Sequence, residues 1–485
     1  MSKKERLSYP KMAVFGLQHM FAMFGATILV PLLSGLSVQV TLVGVGVGTL
    51  IFHFFAKGRV PAFLGSSFAF LVGIRLITDP TAGIFPAVQT QYRLIDEYGQ
   101  YILNAAGNFV YGVQVQGAMH GLDIGSLVHP NAFRDATLAY ATGGILVSGF
   151  MYLVFALIVK LVGVKKFMKF VPPIVTAPTV ILIGIMLAPH AINQSAENII
   201  LAVATLAFIL IASSWGKGMI KIIPILLGIG GAYILALILN TAGLTNANGS
   251  AIIDFSAALS RVGGDGGISG SIVGLPPFMA PRFNLVAILI MIPFALATIA
   301  EHIGDMVALS SITGEDFVED PGLARTLMGD GVASMFSGAV GGPASTTYGE
   351  NVGVVALTRI FNPRVVQIAA VFATALAFSP IIAAVIYSIP NAIIGGASFM
   401  LYGMIAAVGI RNLVESRIDM ARTKNLTVVA VMLVTGLGLR FGSPITFTIG
   451  STSVPIDRLG IAIAVVLGVL LNVILPDKDP GEAIK

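Results

Sequence analysis

Cysteine is absent from this chain. No disulfide framework and no thiolate metal site is therefore possible, and redox chemistry says nothing about its compartment. Charge is scarce as well: Asp, Glu, Lys and Arg make up 11% of the 485 residues, against 56% hydrophobic residues and a mean hydropathy of +0.92. A water-soluble domain of this length does not stay in solution on so few charges. No Gly-Lys-Ser/Thr follows the glycine run GGDGGISGS at 263–271, which excludes a phosphate loop and leaves a linker. HExxH spacing is also missing, so an intramembrane enzyme would have to rest on His302 beside Glu301 alone. The composition is that of a polytopic membrane protein.

The first apolar stretch, 12–34, is too long for a signal-peptide core and contains Gln18 and His19. It is expected to be the first span. At about 20 residues per crossing, apolar runs fall near 13–34, 38–56, 60–79, 137–163, 171–190, 197–214, 220–240, 284–311, 323–341, 344–361, 366–388, 390–410, 425–441 and 459–475. These are fourteen candidate spans. The runs 60–79, 323–341 and 344–361 are short or glycine-broken, so twelve crossings with two re-entrant segments is the alternative count. After the last run only the ten-residue tail PDKDPGEAIK remains, and no soluble domain is expected there.

Fourteen spans with the N-terminus inside put 21 of the 28 Lys and Arg on the inner side and 7 on the outer side. Short cytoplasmic loops hold Lys and Arg in excess, so both termini are expected to be cytoplasmic in a cell membrane. The net charge of +5 then describes loops facing anionic lipid headgroups and gives no reason to invoke nucleic acid. Two outer loops are long, 80–135 and 241–283. The first holds His120, His129, Asp123 and Asp135, whose spacing fits no ligand signature, and no metal is expected.

Against this apolar background Glu301 and Glu350 stand out, each inside a segment otherwise fit to cross a bilayer. A carboxylate at mid-membrane costs about 2.5–3.5 kcal/mol or more, so it is rarely kept without a partner or a function. Asp305 follows Glu301 by four residues and shares its helical face, while His302 projects about 100° away. Ionised carboxylates close together in a low-dielectric pocket repel. One of them is therefore expected to hold a proton, which is the beginning of a coupling device. Asp330 in LARTLMGDGVAS either lines the same cavity or caps a helix.

Secondary transporters are commonly built from two inverted repeats whose broken helices meet at mid-membrane. Division into seven plus seven makes the third and tenth spans equivalent. The third reads VPAFLGSSFAFLVG (60–73) and the tenth GGPASTTYGENVG (341–353): in each, a Pro and a few small hydroxyl residues precede a Phe or Tyr. Unwound backbone at that depth is tolerated where protein covers it or it lines a cavity, and each resumed half-helix offers free N–H groups to a polar ligand.

At these residues the chain resembles the nucleobase–ascorbate transporter family, and within it the bacterial uracil-transporting branch. The resemblance runs through LQHMFAMFGATILVP (17–31), KGRVPAFLGSSFAF (57–70), LPPFMAPRF (275–283), AEHIGD (300–305), DPGLAR (320–325), TTYGENVGVVALTR (346–359) and LYGMIAAVGIRNLVES (401–416), in order and over nearly the whole length. It implies an all-α fold of fourteen spans in two inverted seven-span repeats, with short antiparallel strands in spans three and ten. It also implies a core domain (1–163 and 284–388) and a gate domain (164–283 and 389–485). By similarity Glu301 and Glu350 accept hydrogen bonds from base N–H groups, and backbone N–H groups of Phe68 and Gly349 face the carbonyls. Phe68, Tyr348 and Ala26 wall the pocket, and Tyr402 contributes from the gate. Glu301, Asp305 and His302 are the proton-coupling candidates. The family implies proton symport without any other cofactor, and a homodimer in lipid.

Uracil is a flat, uncharged ring with N–H donors beside C=O acceptors, so carboxylates opposite the donors and backbone N–H groups opposite the acceptors satisfy it without water. Where uracil-transporting relatives carry a histidine four residues after the first glutamate, this chain has Asp305, as in the purine-transporting branch. Glu350 within GEN is uracil-like, where the purine branch has glutamine. Uracil is therefore the expected substrate, with xanthine or urate the alternative. An anion transporter of the related sulfate-permease group fits less well, because paired acids repel an anion and such proteins usually carry a C-terminal cytoplasmic domain.

Overall fold

The computed structural model describes residues 8–78, 90–93, 111–114, 132–164, 166, 172–246, 249–255, 273–443, 445–449 and 452–476. The metal expectation on 97–135 and the linker expectation on 263–271 fall on residues outside this set or, for Asp135, on a side chain outside it.

In the first half, α1 (Tyr9–Ser34) and α2 (Val38–Phe55) lead into strand β1 (Leu64–Ser66) and the half-helix α3 (Ala69–Thr78). After β2 (Thr90–Arg93) and β3 (Tyr111–Gln114) come α4 (Ala132–Val162), α5 (Pro173–Ser195), α6 (Ile199–Trp215), α7 (Met219–Ile222) and α8 (Pro224–Thr241). The second half opens with α9 (Leu285–Thr313), a π turn at Val318–Gly322 and α10 (Leu323–Ala339), then strand β4 (Ser345–Thr347) and the half-helix α11 (Gly349–Thr358). It ends with α12 (Pro363–Ala377), α13 (Pro380–Tyr387), α14 (Asn391–Glu415), α15 (Thr423–Phe441), the strands β5 (Thr446–Ile449) and β6 (Thr452–Pro455), and α16 (Gly460–Ile474). Eight described helices are long and apolar enough to cross a membrane, or nine if the bent pair α12–α13 counts as one. The protein is multi-pass.

Local chemistry sets the ends of these helices. Proline occupies the first turn of α5, α8, α12 and α13, where its missing N–H would have no intrahelical acceptor. Side chains of Ser37, Asn198, Asn284, Asn362 and Ser379 accept from N–H groups one turn on, capping α2, α6, α9, α12 and α13. Gly35 ends α1 at φ 86°, a left-handed conformation that favours glycine.

Two expectations change. The run 366–388 is not one continuous helix: it forms two helices bent by 84°, because Ser379 caps a new helix and Pro380 cannot continue the old one. The run 323–341 is not broken by its glycines: α10 is continuous over Leu323–Ala339. Its glycines serve close packing instead. A Cβ at Gly331 would lie 2.7 Å from Cβ of Tyr152 and 2.9 Å from the carbonyl oxygen of Gly149, and one at Gly338 would lie 2.9 Å from the carbonyl oxygen of Thr142. Small residues here let α10 lie directly on the backbone of α4. The chain is also not purely helical outside the breaks, since β2–β3 and β5–β6 form antiparallel pairs. For β5–β6, β-branched residues flanking Gly450-Ser451 give the reason.

α10 packs on α2 and α4, α12 on α1 and α2, and α9 on α4. α14 packs on α5 and α6, α8 on α6, and α15 on α16 and α5. Gly331→Val should push α10 off α4 at a cost of about 1–3 kcal/mol, read as a lowered melting temperature of the detergent-purified protein; an unchanged melting temperature would contradict the contact.

Candidate functional site

Both interrupted segments leave backbone groups that no helix satisfies. They satisfy each other: β1 pairs antiparallel with β4, Leu64 opposite Thr347, Gly65 opposite Thr346 and Ser66 opposite Ser345, and Ser67 N–H reaches Ala344 O at 2.9 Å. Every residue of both strands is buried. Groups facing away from the ladder are met by side chains of neighbouring helices. Thr49 Oγ1 accepts from Leu64 N–H at 3.0 Å. Ser334 accepts from Ser345 N–H at 3.2 Å and donates to Ser345 O at 2.8 Å. Asp330 Oδ2 accepts from Thr347 N–H at 3.1 Å.

Asp330 also settles the place of His302. The imidazole is fully buried, with Nδ1 3.0 Å from both Asp330 Oδ2 and Thr347 Oγ1, and Nε2 2.9 Å from Thr326 Oγ1. Thr326 Oγ1 also donates to Leu323 O at 3.0 Å, which fixes the hydroxyl beside the ring. His302 and Asp330 thus tie α9 and α10 to β4.

At the mouth of the breaks the rings of Phe68 and Tyr348 lie 6.4 Å apart and 22° from parallel. Tyr348 donates to Ser66 O, and Ser66 Oγ donates to Thr27 O at 2.8 Å, one residue from Ala26 on α1. A Cβ on Gly65 would collide with the Tyr348 ring, so only glycine lets the ring lie against β1. α11 begins at Gly349 with Tyr348 as its N-cap and no side-chain cap. Glu350, half-buried, stands in its first turn.

The acids come from two distant helices. Glu301 is half-buried on α9, and Asp305, one turn further on, is buried. A Cβ on Gly349 would lie 3.7 Å from Asp305 Oδ1, so α9 and the start of α11 face each other there. Asp305 Oδ2 is buried without a hydrogen-bond partner. Ala26 and Tyr402 are buried on α1 and α14, at 2% exposure each. Among the described residues no group of three or more His, Asp or Glu is arranged to hold a metal.

Two residues that sequence reasoning left without a role also act here. His19 Nε2 lies 2.6 Å from Asn351 Oδ1, and Asn351 Nδ2 donates to Pro61 O at 3.2 Å. α1 and α11 are thereby joined to the segment leading into β1. The signal in the sequence was a histidine inside an apolar span and an amide beside Glu350.

A multi-pass membrane protein with two interrupted helices crossed at a buried acidic site is built like a transporter. Solved structures agree on the fold: the transmembrane domain of the cyanobacterium bicarbonate transporter BicA superposes with a TM-score of 0.57 at 15% identity, over 97% of this chain and 99% of that one. SLC26A9 superposes with a TM-score of 0.58 at 12% identity, over 95% of this chain and 64% of that one. The chain belongs to the Permease family, which it matches over residues 10–445. It is 34% identical over 484 residues to the probable uracil permease of Haemophilus influenzae, covering 98% of this chain and 97% of that protein. It is 35% identical over 487 residues to the uracil permease of Bacillus subtilis, covering 97% and 93%. With the putative pyrimidine permease of Escherichia coli it shares 35% identity over 489 residues, covering 99% and 94%.

Asn351→Ala removes both hydrogen bonds of the amide and strands buried groups on His19 and Pro61, at about 1–3 kcal/mol each. The variant should melt at a lower temperature than the parent protein, and melting at the parent temperature would show that the link carries no weight.

Proposed function

We propose that this permease imports uracil by proton symport across the cell membrane, with both termini cytoplasmic. The observation that carries the proposal is the packing of α9, which bears Glu301 and Asp305, against β4 and the start of α11, which bears Glu350: a Cβ on Gly349 would lie 3.7 Å from Asp305 Oδ1. Glu301 and Glu350 accept from the ring N–H groups of the base. Its carbonyls face the N–H groups of Phe68 and Gly349, which begin half-helices. That α11 lacks a side-chain cap supports this role, because a ligand carbonyl can serve as the cap. Phe68, Tyr348 and Ala26 wall the pocket, and Tyr402 closes it from the gate. The relatives named uracil permeases support the choice of base.

The fourteen spans form two inverted seven-span repeats on this reading, and the packing supports it. Exchange of each first-half span for its second-half equivalent turns α4 on α10 into α12 on α2, α9 on α4 into α1 on α12, α6 on α8 into α15 on α16, and α14 on α6 into α5 on α15. All are observed contacts. The core, 1–163 and 284–388, carries both breaks, and the gate comprises 164–283 and 389–485. A proton on the Glu301/Asp305 pair favours the outward-open, substrate-binding form, and base and proton cross together as the core shifts against the gate. His302, with both nitrogens engaged by α10 and β4, serves the coupling by holding the site in place. The homodimer and lipid contacts implied by the family belong to the same proposal.

Glu350→Ala should weaken uracil binding by about 1–3 kcal/mol, on the order of ten- to a hundredfold, whereas Glu301→Gln should abolish proton-driven accumulation. Calorimetric titration and uptake at imposed pH gradients measure these two effects. Unchanged affinity in the first or unchanged pH-dependent accumulation in the second would remove that residue from its role. Labelled uracil uptake should be competed by unlabelled uracil and not by xanthine, guanine or urate; uptake of labelled xanthine without uptake of labelled uracil would favour the purine reading that Asp305 suggests.

A further inference from the structure

The two glutamates open matching four-residue stretches, Glu301-His302-Ile303-Gly304 on α9 and Glu350-Asn351-Val352-Gly353 on α11. Helix geometry puts each glycine about one turn beyond its glutamate and about 60° round the axis from it. Both glycines are exposed, and a Cβ built on either meets no atom within 4 Å. They differ in this from Gly149 and Gly331, which sit in helix contacts. A helix-interior glycine with nothing packed against it is less favourable than alanine, so close packing does not account for them.

The bare surface continues in one direction. On α11, Ala356 and Leu357 are exposed beyond Gly353, and Thr358 lines a cavity of about 1430 Å³. On α9, Val307 and Ser311 are exposed beyond Gly304, and Thr313 lines the same cavity. Its other walls include Lys11 and Gln18 of α1 and Met219 of α7, so both halves of the chain contribute. A planar heterocycle fits such a volume with room to turn. Asp305 directly follows Gly304 on α9 and is 8% exposed, with Oδ2 lacking a hydrogen-bond partner.

We propose that Gly304 and Gly353 form the floor of the track along which the base passes between the acidic pocket and the 1430 Å³ cavity, kept free of side chains so that a flat ring slides past both helices. The inference rests on the nucleobase-transport reading, and it assigns the glycines to passage instead of binding.

The absence of cysteine lets Gly304→Cys and Gly353→Cys be read without background. In membrane vesicles open to reagent on both faces, a charged methanethiosulfonate should modify both cysteines, and saturating uracil should slow the reaction severalfold. Gly353→Leu should bind uracil within about threefold of the parent while uptake falls about tenfold or more. Reaction confined to a bilayer-soluble maleimide, in a protein that still binds uracil, would put the glycines against lipid and overturn the track. Uracil binding without protection would do the same. Modification of both introduced cysteines by the charged reagent, where the parent protein does not bind uracil, would instead leave a watery groove and overturn the choice of substrate.

Discussion

Backbone amides and carbonyls buried away from water need partners, and in a bilayer each one left alone costs several kcal/mol. This protein interrupts two helices and then meets that requirement with a three-residue ladder and three polar side chains. Thr49, Ser334 and Asp330 take the Leu64 N–H, both backbone groups of Ser345 and the Thr347 N–H. Two half-helices, α3 and α11, begin just past the strand pair.

The acids follow from the same arrangement. Glu350 stands in the first turn of α11 because β4 ends three residues earlier, at Thr347, and α9 lies beside β4 because His302 is tied to Asp330 and Thr347. Like charges repel when desolvated, so it is the packing of α9 on β4 and α11 that keeps the acid-bearing segments side by side.

Much of this was legible in the sequence because membrane physics leaves few choices. Acids inside apolar runs singled out Glu301 and Glu350, and Pro followed by small hydroxyl residues marked the interruptions at 60–73 and 341–353; the strands within them were implied by the family resemblance. The bend at Ser379-Pro380 was hidden by uniformly apolar flanks, although the cap-proline pair was present. Glycines in α10 misled in the other direction: periodicity cannot tell a glycine that breaks a helix from one that admits a neighbour, and contacts with Tyr152 and Thr142 decide it. Asp330 and His19 were equally opaque. Their partners, Thr347 and Asn351, come from distant sequence, and long-range pairing leaves no local mark.

Ser66 and Tyr348 are separated by 282 residues. While the ribosome is still making the second half, the first interrupted segment has no strand to pair with, and its polar backbone must be sheltered by water, by insertion machinery or by a transient helix. Neither half-chain alone can finish the crossing. Maturation of the transport site is therefore a late event in biogenesis, and co-expressed half-proteins would recover it only by finding each other within the membrane.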